Sequence, residues 1–80
     1  MNKKYKYARL CWPNGGFAIV KDCRAVYNKK AKQFKVDAVF IFGSKRGYDT
    51  SGTKFGFYNV EKVEDLEQDF VVRNFFPGLL

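Results

Sequence analysis

Ten consecutive residues, Gln33-Phe34-Lys35-Val36-Asp37-Ala38-Val39-Phe40-Ile41-Phe42, restrict this chain more than any other stretch. Phe34, Val36, Ala38, Phe40 and Phe42 fall on alternate positions, with Lys35 and Asp37 between them. A period of two belongs to a β-strand, whose successive side chains point to opposite faces of a sheet. The wholly apolar face must meet a core. That pins the register, because a slip by one residue would turn every side chain over. Further along, Val39 and Ile41 replace the charged residues. There, either both faces are covered or an apolar patch is exposed.

The flanking segments extend the sheet. Lys4 to Trp12 reads as a strand, Pro13-Asn14-Gly15-Gly16 as a tight turn, and Phe17 to Val20 as the partner strand, reaching toward Cys23. The hairpin centres on Asn14-Gly15, because both residue types tolerate positive φ. Arg24 to Tyr27 is a third strand or an extension of the second, and Asn28 to Lys32 is a basic turn. Gly43 to Gly52 is a polar loop with three glycines, and Thr53 to Tyr58 is the last strand. From Val60 the spacing changes. Val60, Val63, Leu66 and Phe70 recur at helical intervals, with Asn59 as N-cap, acids near the start and Arg73 near the end. Pro77-Gly78 stops the pattern. The expected fold class is α+β, residues 1–80 forming a single domain. It is a small twisted antiparallel sheet of four or five strands, with one C-terminal helix from about Val60 to Phe75. The helix is expected to lay Val63, Leu66 and Phe70 on Phe34, Val36 and Phe40.

A chain of this length buries only about 60% of its extended surface, so its core must be dense. With 46% hydrophobic and 19% aromatic residues the supply suffices. No apolar run approaches the roughly 18 residues of a membrane span. Lys3, Lys4 and Lys6 are followed by no apolar segment of signal-peptide type, so a cytoplasmic protein is expected. Cys11 and Cys23 lie several residues out of register in the expected hairpin, which predicts two free thiols.

Charge is divided unevenly. Residues 1–60 hold thirteen basic and three acidic side chains, a balance of +10, whereas residues 61–80 hold two and five, a balance of −3. A basic body attracts polyanions. Catalysis has little to work with. No histidine is present, the acids are scattered or lie on the helix, and no phosphate-binding, nucleophile-elbow or dinucleotide motif appears. Two cysteines without histidine make no zinc set within one chain. A histidine-free ribonuclease using Lys, Arg and Tyr is the one reaction left open. The expectation is a non-enzymatic protein with no cofactor and no metal.

Binding of single-stranded DNA or RNA, tolerant of sequence, fits better. Basic residues cluster at Lys3/Lys4/Lys6/Arg9, Lys29/Lys30/Lys32/Lys35 and Lys45/Arg46, with tyrosines among them. Cations neutralise phosphates and rings stack on bases. The candidate nucleic-acid contacts are Tyr5, Tyr7, Arg9, Lys29, Lys30, Lys32, Lys45 and Arg46. Tyr5, Tyr7 and Arg9 are expected on one face of the first strand. Thr53-Lys54-Phe55-Gly56-Phe57-Tyr58 resembles part of the RNA-recognition-motif signature, but Lys54 stands where that motif has glycine and Tyr58 where it has an aliphatic residue. The stretch after Val39–Ser44 is also too short for that family's intervening helix and strand, so the family is set aside. The order of basic hairpin, Gly-Lys/Arg loop and C-terminal helix over Lys32 to Leu66 is similar to that of the positive cofactor four family of single-stranded-DNA binders. That similarity implies a homodimer.

The alternative is a protein-binding inhibitor or adaptor, such as an accessory factor of a mobile element, docking on an acidic partner surface. Phe75-Phe76-Pro77-Gly78-Leu79-Leu80 carries no charge after an acidic stretch. Phe75, Phe76, Leu79 and Leu80 are therefore candidates for a partner's pocket or a dimer contact. A dimer is further expected to cover Val39 and Ile41.

Overall fold

Local devices in the chain fix the first two turns of the sheet. The computed structural model describes residues 2–44 and 52–75, with backbone alone at positions 2, 72 and 75. Strand β1 (Asn2–Cys11) turns into β2 (Phe17–Asn28) through a β-turn with Pro13 and Asn14 at its centre. Gly15 N–H donates to Trp12 O at 3.0 Å, and Trp12 N–H to Gly16 O at 2.9 Å. Gly15 alone in this turn takes positive φ, 88°. Proline presets the turn and glycine reverses the chain, so the turn is a three-residue loop rather than a two-residue Asn14-Gly15 turn. β2 then runs unbroken through Cys23 and Tyr27, so Arg24 to Tyr27 extends the second strand. Asn28 closes the next turn by accepting at Oδ1 from the N–H groups of Lys30 and Ala31, at 2.9 and 3.2 Å. Strand β3 (Gln33–Gly43) follows, then β4 (Lys54–Val60), β5 (Lys62–Asp65) and helix α1 (Gln68–Phe75).

The five strands form one antiparallel sheet in the order β4-β3-β2-β1-β5. β4 and β5 are its two edges, yet Glu61 alone separates them in the chain. The sheet is therefore rolled until its edges meet at a corner. Asn59 makes that corner. Tyr58 and Asn59 together oppose the single residue Lys35, and Asn59 sits at φ 59°, so β4 bulges and bends. Immediately beyond it, Glu61 N–H donates to Cys11 O at 2.8 Å. Inside the roll lie Ala8, Leu10, Ala18, Val20, Cys23, Ala25, Val36, Ala38, Phe40 and Val60, all buried. Tyr5, Trp12, Phe34, Phe55, Phe57 and Val63 pack around them.

The expected long helix is corrected. Val60 ends β4, residues 62–65 form β5 on β1, and the helix spans eight residues. Val60, Val63 and Leu66 recur at threes, which suits a helix. A free backbone edge at residues 8–11 of β1 takes this stretch as a strand instead, and tertiary pairing overrides local spacing. Asn59 is consequently a bulge residue, not a helix cap. α1 also lies on the outer face, not on Phe34, Val36 and Phe40. Its Val71 is fully buried with Ile19 and Ile41, and Tyr7, Phe17, Phe42 and Leu66 pack around them. Phe70 is 41% exposed. Ile41 is thus covered by its own chain and is not an apolar surface for a second copy. Asp69 and Arg73 pair along the helix at 3.3 Å.

Val71 is the helix's sole described side chain with no exposure, so it anchors α1. Val71→Ala is expected to cost about 1.5–3 kcal/mol. Half-buried Leu66, replaced by Ala, should cost less than the 2–5 kcal/mol typical of a fully buried leucine. Urea unfolding of the two variants checks the ranking, and a larger loss at Leu66 would contradict this packing.

Candidate nucleic-acid interface

The outer face of the sheet is only half covered. α1 lies over Ile19 and Ile41, and the rest faces solvent. There Lys4 and Lys6 of β1, Asp22, Arg24 and Val26 of β2, and Lys35 and Asp37 of β3 are exposed, as are Lys54, Gly56 and Tyr58 of β4. They alternate with the buried Cys23, Ala25, Val36 and Ala38 and with the half-buried Tyr5, Phe55 and Phe57. The same period of two that fills the core therefore builds this surface. One row crosses four strands, with Lys4, Arg24, Asp37 and Gly56 as successive backbone partners.

Five cations against two carboxylates leave this half-face positive. Tyr58 stands 60% exposed, and Lys35 Nζ lies 5.5 Å from the centre of its ring. The contact fixes a cation over one face of a largely exposed ring. Gly56, next to it, has no side chain, and the Tyr58 ring and the Asp37 carboxylate lie about 3.6 Å from where its Cβ would be. The turn carrying Lys29, Lys30 and Lys32 joins β2 to β3 two residues beyond Val26, and all three lysines are exposed. A cleft along Lys4, Tyr5, Lys6, Asp22, Cys23 and Arg24 continues the surface over β1 and β2.

Several expected contacts are placed elsewhere. Tyr5 packs against the inner core and Tyr7 against the cluster beneath α1, so they do not share a face. The cause is a bulge in β2. Asp22 and Cys23 oppose the single residue Ala38, with Asp22 at φ 49°. Before the bulge Ala18 and Val20 point inward, and after it Cys23 and Ala25 do. β1 follows its partner, so Ala8 and Leu10 point inward on one side of the bulge and Tyr5 on the other. Arg9 is half-buried and paired with Glu64, its backbone partner on β5, at 3.9 Å. Lys45 and Arg46 lie outside the described residues, as do Phe76, Leu79 and Leu80, while Phe75 is the last residue of α1. Conversely, Arg24, Lys54 and Tyr58 belong to no cluster picked out along the chain. Their alternation with Cys23, Ala25, Phe55 and Phe57 is the signal that reveals them.

Neither thiol is activated. Burial first, then the hydrogen bond and charge of Glu64, raise the Cys11 thiol above its usual value, and Cys11 Sγ donates to Glu64 Oε1 at 3.5 Å. Burial pushes Cys23 up to about 11. Both cysteines are free, with Tyr5 opposite Cys23 and Phe17 opposite Cys11. Among the described residues no three His, Cys, Asp or Glu side chains gather as metal ligands. Nor is any helix among them long and apolar enough to cross a membrane. Compared with family models, curated proteins and solved structures, the chain matches none.

Proposed function

We propose that this protein binds single-stranded DNA or RNA without catalysis and with little regard to sequence, through the uncovered half of its outer sheet face. The observation that carries the reading is the joint exposure of Lys4, Lys6, Arg24, Lys35 and Lys54 on the same half-face as Tyr58. The cations neutralise phosphates, which are the same for every sequence. The ring offers a stacking surface that any base accepts but that a duplex hides within its own stack. Lys29, Lys30 and Lys32 extend the positive field beyond the sheet and speed encounter.

Fluorescence anisotropy of a labelled oligonucleotide tests this. Five phosphate contacts give a log–log salt slope of about −3.5, at roughly −0.7 each. Affinity should therefore fall about a hundredfold between about 50 and about 200 mM salt. A duplex of the same length should bind more weakly. A slope shallower than about −1, with affinity no better than that of an unstructured basic peptide, would defeat the proposal. The same face would then be read as a docking surface for an acidic protein.

A further inference from the structure

The interior side of β4 carries a feature that the outer face does not use. At the corner of the roll, the end of β1 reaches across to β4. Trp12 Nε1 donates to Tyr58 O at 2.8 Å, and the Trp12 and Phe57 rings lie 5.9 Å apart. Beside this contact is an open cleft of about 210 Å³. Trp12, Phe40 and Phe57 line it, with Gly43, Asn14 and Ser44. Gly43 lets Phe40 and the Phe17 backbone close up at the floor of the cleft, since a Cβ there would come within 2.9 Å of Phe17 O and 3.0 Å of Phe40 Cε1.

We propose that this cleft holds one nucleobase of a single strand that lies on the outer face. The inference rests on the function proposed above and assigns it a base site. Three observations carry it. The cleft is smaller than the about 300–1,000 Å³ of ordinary ligand pockets, so it suits one ring system rather than a larger ligand. Its walls are aromatic, and its lining also holds hydrogen-bonding groups. Asn14 Oδ1 accepts from Gly16 N–H at 2.9 Å, and among the described residues the Asn14 amide NH₂ donates to none. Ser44 Oγ accepts from Phe17 N–H at 3.0 Å and donates to Phe17 O at 3.3 Å, which leaves it one further acceptor position. Stacking walls with a few polar groups are what an unstacked base requires.

The third observation is position. Phe57 enters the cleft, while its neighbours Gly56 and Tyr58, and Lys54 on the same strand, are exposed on the outer face. β4 is an edge strand, so at that edge only its own backbone separates the two surfaces. A flexible nucleotide chain passing that edge keeps its phosphates near Lys54 and Lys35 and turns a base inward. An apolar side chain of a protein would fill the cleft but would gain nothing from those cations.

Trp12 is the protein's only tryptophan, so its emission reports on the cleft. The full chain is titrated with a labelled oligothymidylate and with an abasic strand of equal length, reading label anisotropy and Trp12 emission together. The intact strand should bind and quench Trp12. The abasic strand should bind about five- to 150-fold more weakly, the range of base–aromatic stacking, with an unchanged salt slope and no quenching. Binding of the intact strand with Trp12 unquenched would overturn the base site and leave the outer-face function standing. An absence of binding by anisotropy would overturn both. Quenching by a phenylalanine-containing peptide but not by the oligonucleotide would overturn the base site and give the cleft to a protein side chain.

Discussion

Phe40→Ala is expected to remove a large part of the stability of this domain. Phe40 is 2% exposed, meets Phe55 edge-on at 6.0 Å between ring centres, and backs onto Gly43. Truncating a buried phenylalanine costs about 3–5 kcal/mol through lost transfer energy and the cavity left behind. An 80-residue domain has roughly 4–12 kcal/mol in total, at 0.05–0.15 per residue. The melting temperature should therefore fall by about 12–40 °C, at 4–8 °C per kcal/mol for a domain of this size. Thermal unfolding followed by circular dichroism checks this. A fall of only a few degrees would mean that Phe40 does not sit at the centre of the core.

Gly43→Ala attacks the same place from the other side. The added methyl would press on the Phe17 carbonyl, whose oxygen already accepts from Ser44 N–H at 3.0 Å. A backbone atom held in the ladder gives way less easily than a side-chain tip. Overpacking of this kind typically costs 1–3 kcal/mol. Phe40→Ala removes volume and Gly43→Ala adds it, so both losses together locate the tight point of the fold between β2 and β3.

Legibility from sequence follows the range of the forces involved. The β3 strand was readable because Phe34, Val36, Ala38 and Phe40 alternate toward the core, and they do point inward. Phe42, expected on the same face, packs instead with Ile19, Ile41 and Val71, because the register shifts by one residue at Ile41. Ile41 settles the ambiguity at the end of that strand, because both faces are covered there. The first turn was readable in place, since Pro13 and Gly15 act on their own dihedral angles. Failures occur where a distant segment decides. Residues 62–65 are a strand because the edge of β1 is open beside them, and no local spacing reports that. Tyr5 and Tyr7 part company because one extra residue in β2 reverses the alternation. An argument from a period of two holds only between bulges. Asp22 and Asn59 are residue types that tolerate positive φ, and they occupy those bulges, but many such residues elsewhere in the chain do not. Arg9 left the candidate interface for the same long-range reason, since Glu64 reached it from β5.

That displacement of residues makes the location of binding testable at constant net charge. Arg24, Lys35 and Lys54 lie on the uncovered sheet face, whereas Lys29, Lys30 and Lys32 lie in the turn beyond it. Replacing either trio with glutamine removes three charges, so the long-range field weakens equally in both variants. Direct contacts are lost only where a phosphate sits. For the sheet trio, the salt slope should become shallower by about 2, and affinity near 0.1 M salt should fall about a hundredfold. The turn trio should change the slope by less than about 1, since screening leaves mainly a rate effect on association. None of the six side chains is buried, so both variants should keep the parent's melting temperature within a few degrees. Equal losses from the two trios would reduce the interface to net charge alone. A greater loss from the turn trio would move binding to the hairpin tip, at the basic run Lys29-Lys30-Ala31-Lys32. The rolled sheet argues for the first outcome. It holds Lys35 over Tyr58, with Arg24 on the same face, which α1 stops short of covering, whereas the rings at the base of the turn, Tyr27 and Phe34, pack on each other at 4.9 Å.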